Sequence, residues 1–188
     1  MRIVITGSPC SGKTTLAKKL SQKLDYKLIH ISDFVKEKKI SSGYDRRNKA
    51  LIVEPDRLRK ELNKEYRNAK NIIFEGHLLC EFPFRADYVF VVRCHPDVLV
   101  SRMRRRGYSK KKAEGNVLAE LLDYPFIKAR MNYKKIKIFE INSTERATDE
   151  NISLILSILK GKRKRGDKVD WSAELLDRAL SGLRWHNI

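Results

Sequence analysis

The sequence predicts an α/β domain of three layers, in which a mostly parallel sheet of about five strands lies between two layers of helices. The first observation is a β-branched run at residues 3–5, followed by a glycine-bounded loop and an amphipathic helix at residues 14–24. The second is that further short apolar runs alternate with helical patterns. The length of 188 residues suits one such domain with a small appendage.

The first strand and helix enclose the most specific motif of the chain. Gly7, Gly12, Lys13 and Thr14 fit the pattern G-x-x-x-x-G-K-[ST], with the strand before it and the helix after it that the pattern requires. In that setting the backbone N–H groups of the loop and the helix N-terminus surround phosphate oxygens. We expect Lys13 to reach the β and γ phosphates and the Thr14 hydroxyl to bind magnesium. The motif therefore predicts ATP and Mg²⁺ as cofactors.

The remaining elements follow from apolar periodicity and turn residues. Strands are predicted at residues 26–31, 71–76, 86–94 and 137–141. Helices are predicted at residues 32–38, 55–66 and 96–106, with Ser32 as the N-cap of the first, and a last core helix follows the fifth strand with Thr148 as its cap. A polar segment at residues 109–130 predicts one helix that bends near Pro125. Residues 43–45 are predicted as a loop.

The chain is strongly basic, with 41 Lys and Arg against 23 Asp and Glu and a formal net charge of +18. A single nucleotide site accounts for only a few of these cations. One interpretation is a solvated, lysine-rich surface of the kind found in some thermophiles. The other is a polyanionic partner, most plausibly RNA or an RNA–protein particle.

Cysteine usage and hydropathy indicate a cytoplasmic protein. Cys10, Cys80 and Cys94 lie far apart and form neither a metal-binding spacing nor a disulfide framework, which suits a reducing compartment. No segment approaches the roughly 18 to 20 consecutive apolar residues of a membrane span, and no leader precedes the nucleotide loop.

The chain changes character after about residue 160. Residues 1–160 form the predicted catalytic domain, and residues 160–168, KGKRKRGDK, form a basic linker. The remaining segment of the 161–188 tail can form one short amphipathic helix. We expect this tail to pack on the body or on a partner through Trp171 and Trp185.

The rest of the sequence selects among proteins that share the phosphate-binding motif. The guanine-reading pattern Asn-Lys-x-Asp of GTPases does not occur. The length and two insertions instead predict a nucleoside monophosphate kinase fold, with an acceptor-binding segment at about residues 30–53 and a lid at about residues 105–115. The lid sequence SRMRRRGYSKKK clusters cations around Gly107, and we expect Arg106 to stabilise the transferred phosphoryl group.

Two further candidates follow the third predicted strand. Glu75 stands at the strand end, where a carboxylate can bind the metal directly or through water. His77 is either a structural histidine or a group that orients a water and accepts its proton. The predicted catalytic set is therefore Lys13, Glu75, His77 and Arg106. Asp33 is either an acceptor-orienting carboxylate or an ordinary first-turn helix residue.

Four segments, GSPCSGKTT, EGH, RRGYSKKKAEGNVLAELLD and VDWS, together resemble the adenylate-kinase-like ATPases of archaea and eukaryotes that assist maturation of the small ribosomal subunit, known in eukaryotes as the sixth adenylate kinase isoenzyme. The resemblance covers roughly residues 1–160. It implies adenylate kinase and ATPase activity, AMP as acceptor, and a platform ribosomal protein and rRNA as partners. It also implies that ATP contacts a set of loop and lid residues: the backbone at Cys10, Gly12, Lys13, Thr14, Thr15 and Arg106.

The chain departs from this family's pattern at two positions. Cys10 stands where the family's loop usually has glycine, and a cysteine fits there if its backbone angles are ordinary. Glu75-Gly76-His77 replaces an Asp-x-His motif, which moves the carboxylate outward by one methylene. Two other functions fit the same residues: a kinase for another nucleotide or small metabolite, and an ATP-gated module that binds protein or RNA.

Overall fold

A five-stranded parallel sheet forms the centre of the molecule, in a computed structural model that describes residues 1–46 and 50–181. Its central strand is buried at every position because neighbouring strands and helices cover both faces. The strands are β1 (Arg2–Gly7), β2 (Lys27–His30), β3 (Gly43–Asp45), β4 (Ala50–Ile52), β5 (Ile72–Glu75), β6 (Tyr88–Arg93) and β7 (Lys137–Asn142). The sheet order is β2-β5-β1-β6-β7, and β3 pairs with β4 as a separate antiparallel hairpin. The predicted α/β fold with five parallel strands is confirmed.

Helices cover both faces of the sheet. They are α1 (Lys13–Leu24), α2 (Ile31–Glu37), α3 (Pro55–Tyr66), α4 (Pro96–Arg105), α5 (Lys110–Leu121), α6 (Tyr124–Asn132), α7 (Thr148–Leu159) and α8 (Ser172–Leu180), with a 3₁₀ turn at His77–Cys80. Ile3 and Ile5 face α1 and α7, whereas Val4 faces the core that α2, α3 and α6 share. This alternation follows from the two-residue period of a strand and produces the three layers. No helix in the described ranges is long and apolar enough to cross a membrane.

Several local predictions were wrong. The segment predicted as one bent helix is two helices, α5 and α6, because Asp123 between them has a left-handed backbone with φ of 53°. The N-cap of α2 is His30 rather than Ser32, and that of α7 is Ala147 rather than Thr148. Residues 43–45 form strand β3 rather than a loop, since the backbone of this short segment pairs with β4.

The tail returns to the body of the protein. Asp167 donates its backbone N–H to the carbonyl oxygen of Glu140 at 2.9 Å and pairs with Arg146, also at 2.9 Å. Trp171 is only 7% exposed and contacts the apolar cluster between α4 and α5. The basic residues 162–165 remain exposed. The predicted contact of Trp185 lies outside the described residues.

Candidate nucleotide site

The loop between β1 and α1 forms the floor of the site. Gly7 has φ of 132°, and a Cβ there would lie 2.2 Å from the carbonyl oxygen of Val92, so only glycine fits. Gly12 is the N-cap of α1. The ammonium of Lys13 donates to the carbonyl oxygen of Ser8 at 2.7 Å, and the residue is only 6% exposed. Burial lowers the pKa of Lys13, whereas the nearby Glu75 charge raises it.

Cys10 occupies a backbone conformation that normally requires glycine. Its φ is 66°, so the condition under which a cysteine fits without strain is not met. A non-glycine residue in this region costs on the order of 1–3 kcal/mol and persists only where its surroundings hold it. Two arginines contact Cys10 and hold it in this conformation. Arg102 Nη1 lies 3.4 Å from its carbonyl oxygen, and Arg106 Nη1 lies 3.6 Å from its Sγ.

Glu75 stands at the carboxyl end of β5, directly beside the loop. Thr14 Oγ1 lies 3.3 Å from Glu75 Oε1, and His30 Nδ1 lies 2.7 Å from Glu75 Oε2. Gly76 is needed after it, because a Cβ there would lie 2.7 Å from Cβ of Ile31. Sequence reasoning missed His30, although it ends β2, the strand next to β5, and parallel strands end at the same edge.

His77 faces the open cleft from the 3₁₀ turn. Its surface is exposed to the cleft, but the surrounding protein walls desolvate the ring, and Lys13 and Lys112 add positive charge. Desolvation first, and then these two charges, lower the pKa of His77 to about 4. The imidazole is therefore neutral at pH 7 and can accept a hydrogen bond or a proton.

The donor set suits magnesium. Thr14 and Glu75 offer a hydroxyl and a carboxylate oxygen within 3.3 Å of each other. Mg²⁺ prefers oxygen ligands and is usually held by one or two protein groups together with substrate phosphates and water. Within residues 1–46 and 50–181 no group of three His, Cys, Asp or Glu residues forms an all-protein metal cage.

A cavity of about 650 Å³ opens above these residues, within the usual size range of small-molecule sites. Lys13, Thr14, Glu75 and His77 are among its lining residues. Side chains of α2 and the β3–β4 hairpin also line it, namely Ile31, Val35, Tyr44 and Leu51. The cavity thus brings the phosphate-binding loop together with apolar and aromatic side chains of α2 and the hairpin.

Arg106 and Tyr108 form one side of the cavity. Arg106 ends α4, and Gly107, with φ of 67°, turns the chain toward α5. Arg102, a member of the predicted lid run, instead contacts the loop from outside the cavity, and its Nη2 donates to Ser143 at 3.2 Å. Thr15 is exposed in the first turn of α1 and does not line the cavity.

A second buried carboxylate, that of Glu120, contacts the nucleotide loop at Ser8. Glu120 is fully buried and accepts hydrogen bonds from Arg93 Nε at 2.7 Å and from Ser8 Oγ at 2.5 Å. The Trp171 Nε1 atom lies 3.2 Å from its Oε1 atom, as does the backbone N–H of Cys94. Glu120 therefore connects the nucleotide loop, the end of β6 and the tail.

The fold and the site define a P-loop nucleotide-binding domain of the small kinase class. A family model described as "AAA domain" matches residues 3–123. A "Putative adenylate kinase" from Methanocaldococcus jannaschii is 33% identical, over 94% of this chain and 96% of the relative. A protein of the same description from Pyrococcus abyssi is 37% identical, over 98% of both chains. The chain belongs to this adenylate-kinase-like family.

Solved structures agree on the fold. Deoxyadenosine kinase from M. mycoides with bound dATP superposes with a TM-score of 0.56 at 20% identity, covering 85% of this chain and all of that one. Shikimate kinase from Aquifex aeolicus gives a TM-score of 0.56 at 19% identity, covering 86% and 98%. At these identities the likeness extends to architecture alone.

Proposed function

We propose that this protein is an adenylate kinase that transfers the γ-phosphoryl group of ATP to AMP, and that it also transfers the group to water. The observation that carries the proposal is the composition of the cavity wall. The loop lysine and the magnesium-compatible oxygens line the same cavity as side chains of α2 and the hairpin, against which we place the acceptor. The family relationship to proteins described as adenylate kinases supports the choice of acceptor.

In the transfer, a phosphate oxygen of AMP forms a bond to the γ-phosphorus of ATP, and the bond from that phosphorus to the β–γ bridging oxygen breaks, giving two ADP. Lys13 stabilises charge on the β and γ phosphates, and Arg106 approaches the transferred group from the side of the cavity. Thr14 and Glu75 would hold Mg²⁺, which neutralises phosphate charge when bound. In hydrolysis, neutral His77 orients the attacking water and accepts its proton.

Acceptor binding and lid closure are assigned to different segments of the chain. We assign acceptor binding to about residues 30–53 and the mobile lid to about residues 105–115, both within a catalytic domain at residues 1–160. We assign residues 161–188 to a basic linker and a short C-terminal amphipathic tail. Closure of a lid excludes water from the reacting groups, and the left-handed Gly107 provides a turn about which it can move.

We further propose that the activity serves maturation of the small ribosomal subunit in the cytoplasm, with a platform ribosomal protein and rRNA as partners. Support comes from the family resemblance and from a net charge of +18, which exceeds what one nucleotide neutralises. The exposed cations at residues 162–165 and in the lid run can contact RNA phosphates.

One contact favours a second function, that of an ATP-gated binding module. Ser8 in the nucleotide loop and Trp171 in the tail share Glu120 as hydrogen-bond acceptor. A nucleotide that shifts the loop would therefore alter the docking of the tail. Slow hydrolysis that a partner stimulates, without any transfer to AMP, would favour this module over the kinase.

Product analysis tests these proposals. ATP is incubated with each nucleoside monophosphate in turn, with and without small-subunit components, and all nucleotides are quantified. We expect AMP to yield ADP and Lys13→Ala to abolish both reactions, while Lys18→Ala, an exposed lysine on the same helix, leaves them unchanged. Transfer to another acceptor, or hydrolysis alone, would overturn the adenylate kinase assignment.

His77→Ala separates the two reactions. A bound AMP is oriented by its own binding segment, whereas water needs a group to orient it. We therefore expect hydrolysis to fall more than transfer to AMP. Equal losses would mean that His77 only supports the end of β5.

A further inference from the structure

A second charged surface lies at the opposite end of the sheet from the nucleotide site. Strand β1 begins at Arg2 and ends at the nucleotide loop, so the two ends are separated by about 16 Å at the usual rise per strand residue. Around Arg2 a shallow groove runs along α3. Apart from Asn63, its lining residues are all cations, namely Arg2, Arg59, Lys60, Lys64, Arg67 and Arg85. We call this surface the basic groove.

The basic groove continues into a neighbouring depression. The two share Arg59 and Arg85, and the second adds Lys134 and Lys135 at the end of α6. Exposed Asp56 pairs with Arg59 at 3.2 Å, and Asp87 accepts the backbone N–H of Arg2. Two further acids lie on α3, namely Glu61 and Glu65, of which Glu65 pairs with Lys38. Within the described residues, the lining lysines and Arg67 and Arg85 form no ion pair.

Arg2 places buried positive charge beneath the groove. The residue is 5% exposed, and its Nη1 donates to the carbonyl oxygens of Tyr66 and Arg67. Its Nε and Nη2 atoms are buried and have no hydrogen-bond partner in the described part of the chain. Burial, and then the charge of Arg85, lower the pKa of Arg2. Asp87 raises that pKa, and the guanidinium carbon lies 5.5 Å and 5.1 Å from the ring centroids of Phe74 and Phe84. An anion in the groove would add to these partners.

The cations are arranged in a row. Lys60 and Lys64 stand four residues apart on α3, hence on one face and about 6 Å apart along the helix axis. Arg67 follows immediately after the helix and Arg85 faces it across the groove. A linear series of exposed cations fits a ligand that repeats a single negative charge along its length, and a single small phosphate would occupy only part of it.

We propose that the basic groove binds the phosphodiester backbone of a nucleic acid. This site is separate from the nucleotide cavity and does not depend on the phosphoryl transfer proposed above. It is also distinct from the exposed cations at residues 162–165, which follow α7 on the other face of the sheet. Contacts to phosphates position a strand without reading its sequence, so binding should be tolerant of sequence.

The test compares two double charge reversals in the full-length chain. Lys60→Glu with Lys64→Glu changes the basic groove. Lys18→Glu with Lys23→Glu makes the same change in net charge on exposed positions of α1, which covers the opposite face of the sheet. Binding of a labelled single-stranded RNA of about 16 nucleotides, a usual upper site size, is measured by fluorescence anisotropy at several salt concentrations.

We expect the groove variant to bind at least about tenfold more weakly than wild type, and its log–log salt slope to be shallower by about 1.4, or roughly 0.7 for each lost contact. The control variant should change affinity less than about twofold. Both should keep wild-type melting temperature and nucleotide turnover. Because RNA binding is measured without ATP, its failure is separable from failure of the kinase assignment.

Two outcomes would overturn the proposal. Equal weakening by both variants would mean that net charge alone attracts the RNA. Displacement of the RNA by poly-glutamate at equal charge concentration would mean that the groove selects an acidic polypeptide rather than a phosphodiester backbone.

Discussion

Glu75 and Glu120 are both buried carboxylates beside the nucleotide loop, but their surroundings differ. Glu75 is 6% exposed, lines the cavity, and within residues 1–46 and 50–181 hydrogen-bonds to the Thr14 hydroxyl and the His30 ring. Glu120 is fully buried and accepts from a guanidinium, a hydroxyl, an indole and a backbone N–H.

Glu120 is therefore a structural carboxylate, whereas Glu75 can bind a ligand. Four buried donors share the Glu120 carboxylate, three at Oε1 and one at Oε2. Removing it leaves the Ser8 hydroxyl, the Trp171 indole and the Cys94 N–H without this acceptor, whereas Arg93 keeps Asp123 and Glu140 as partners. Glu75 retains free acceptor capacity toward the cavity, where a metal or water can approach. Substitution should therefore cost stability at Glu120 and catalysis at Glu75.

The largest expected effect is at Glu120. Glu120→Ala should lower the free energy of unfolding by about 3–5 kcal/mol, because three neutral buried donors lose their acceptor at about 1–3 kcal/mol each. Urea denaturation measures this loss. Glu120→Gln keeps the shape and one acceptor oxygen, so its loss should be smaller. If Glu120→Ala cost less than about 1 kcal/mol, the cluster would contribute little to the fold.

Glu75→Gln should show the opposite pattern. We expect kcat/KM for ATP-dependent transfer to fall about a hundredfold, the scale of losing one electrostatic group in an active site. Its urea midpoint should stay close to that of wild type, since Thr14 and His30 can contact the amide. A large stability loss with little change in turnover would place Glu75 in the same structural class as Glu120.

Substitutions at Trp171 measure how much one hydrogen bond to Glu120 contributes to stability. Trp171→Phe removes the indole N–H but keeps an aromatic ring, which in wild type lies 5.3 Å from the His95 ring in an edge-on arrangement. The expected loss of stability is about 1 kcal/mol, the net value of one hydrogen bond. Trp171→Ala also empties an apolar site and should cost about 3–5 kcal/mol. Equal losses for the two variants would show that packing alone holds the tail.

The smallest expected effect concerns His77, beside Glu75. Its folded-state pKa of about 4 lies below the ordinary value of 6.5. The unfolded chain therefore binds the proton more readily, so the contribution of His77 to stability is complete above pH 6.5 and declines as pH falls toward 4. The ratio of wild-type to His77→Gln turnover should stay constant between pH 6 and 8. A step in that ratio near pH 6.5 would show an ordinary histidine pKa.

The sequence predicted one side of this comparison better than the other. Glu75 was identified because it ends a strand next to a recognisable loop, and the ends of parallel strands meet. The Glu120 cluster joins residues 27, 51 and 112 positions apart, and no local pattern signals such contacts. Apolar runs predict the five strands of the sheet. They do not predict the β3–β4 hairpin, because each of its strands has only three residues.

The contact between Trp171 and Glu120 can form only late in synthesis of the chain. Ser8 precedes Glu120 by 112 residues, and Glu120 precedes Trp171 by a further 51. A ribosome adding about 5–20 residues per second needs on the order of ten seconds or more between the first and the last of these residues. During that interval the newly made nucleotide loop lacks one donor of the cluster beneath it. The earliest part of the protein to be synthesised is therefore among the last to reach its final set of contacts.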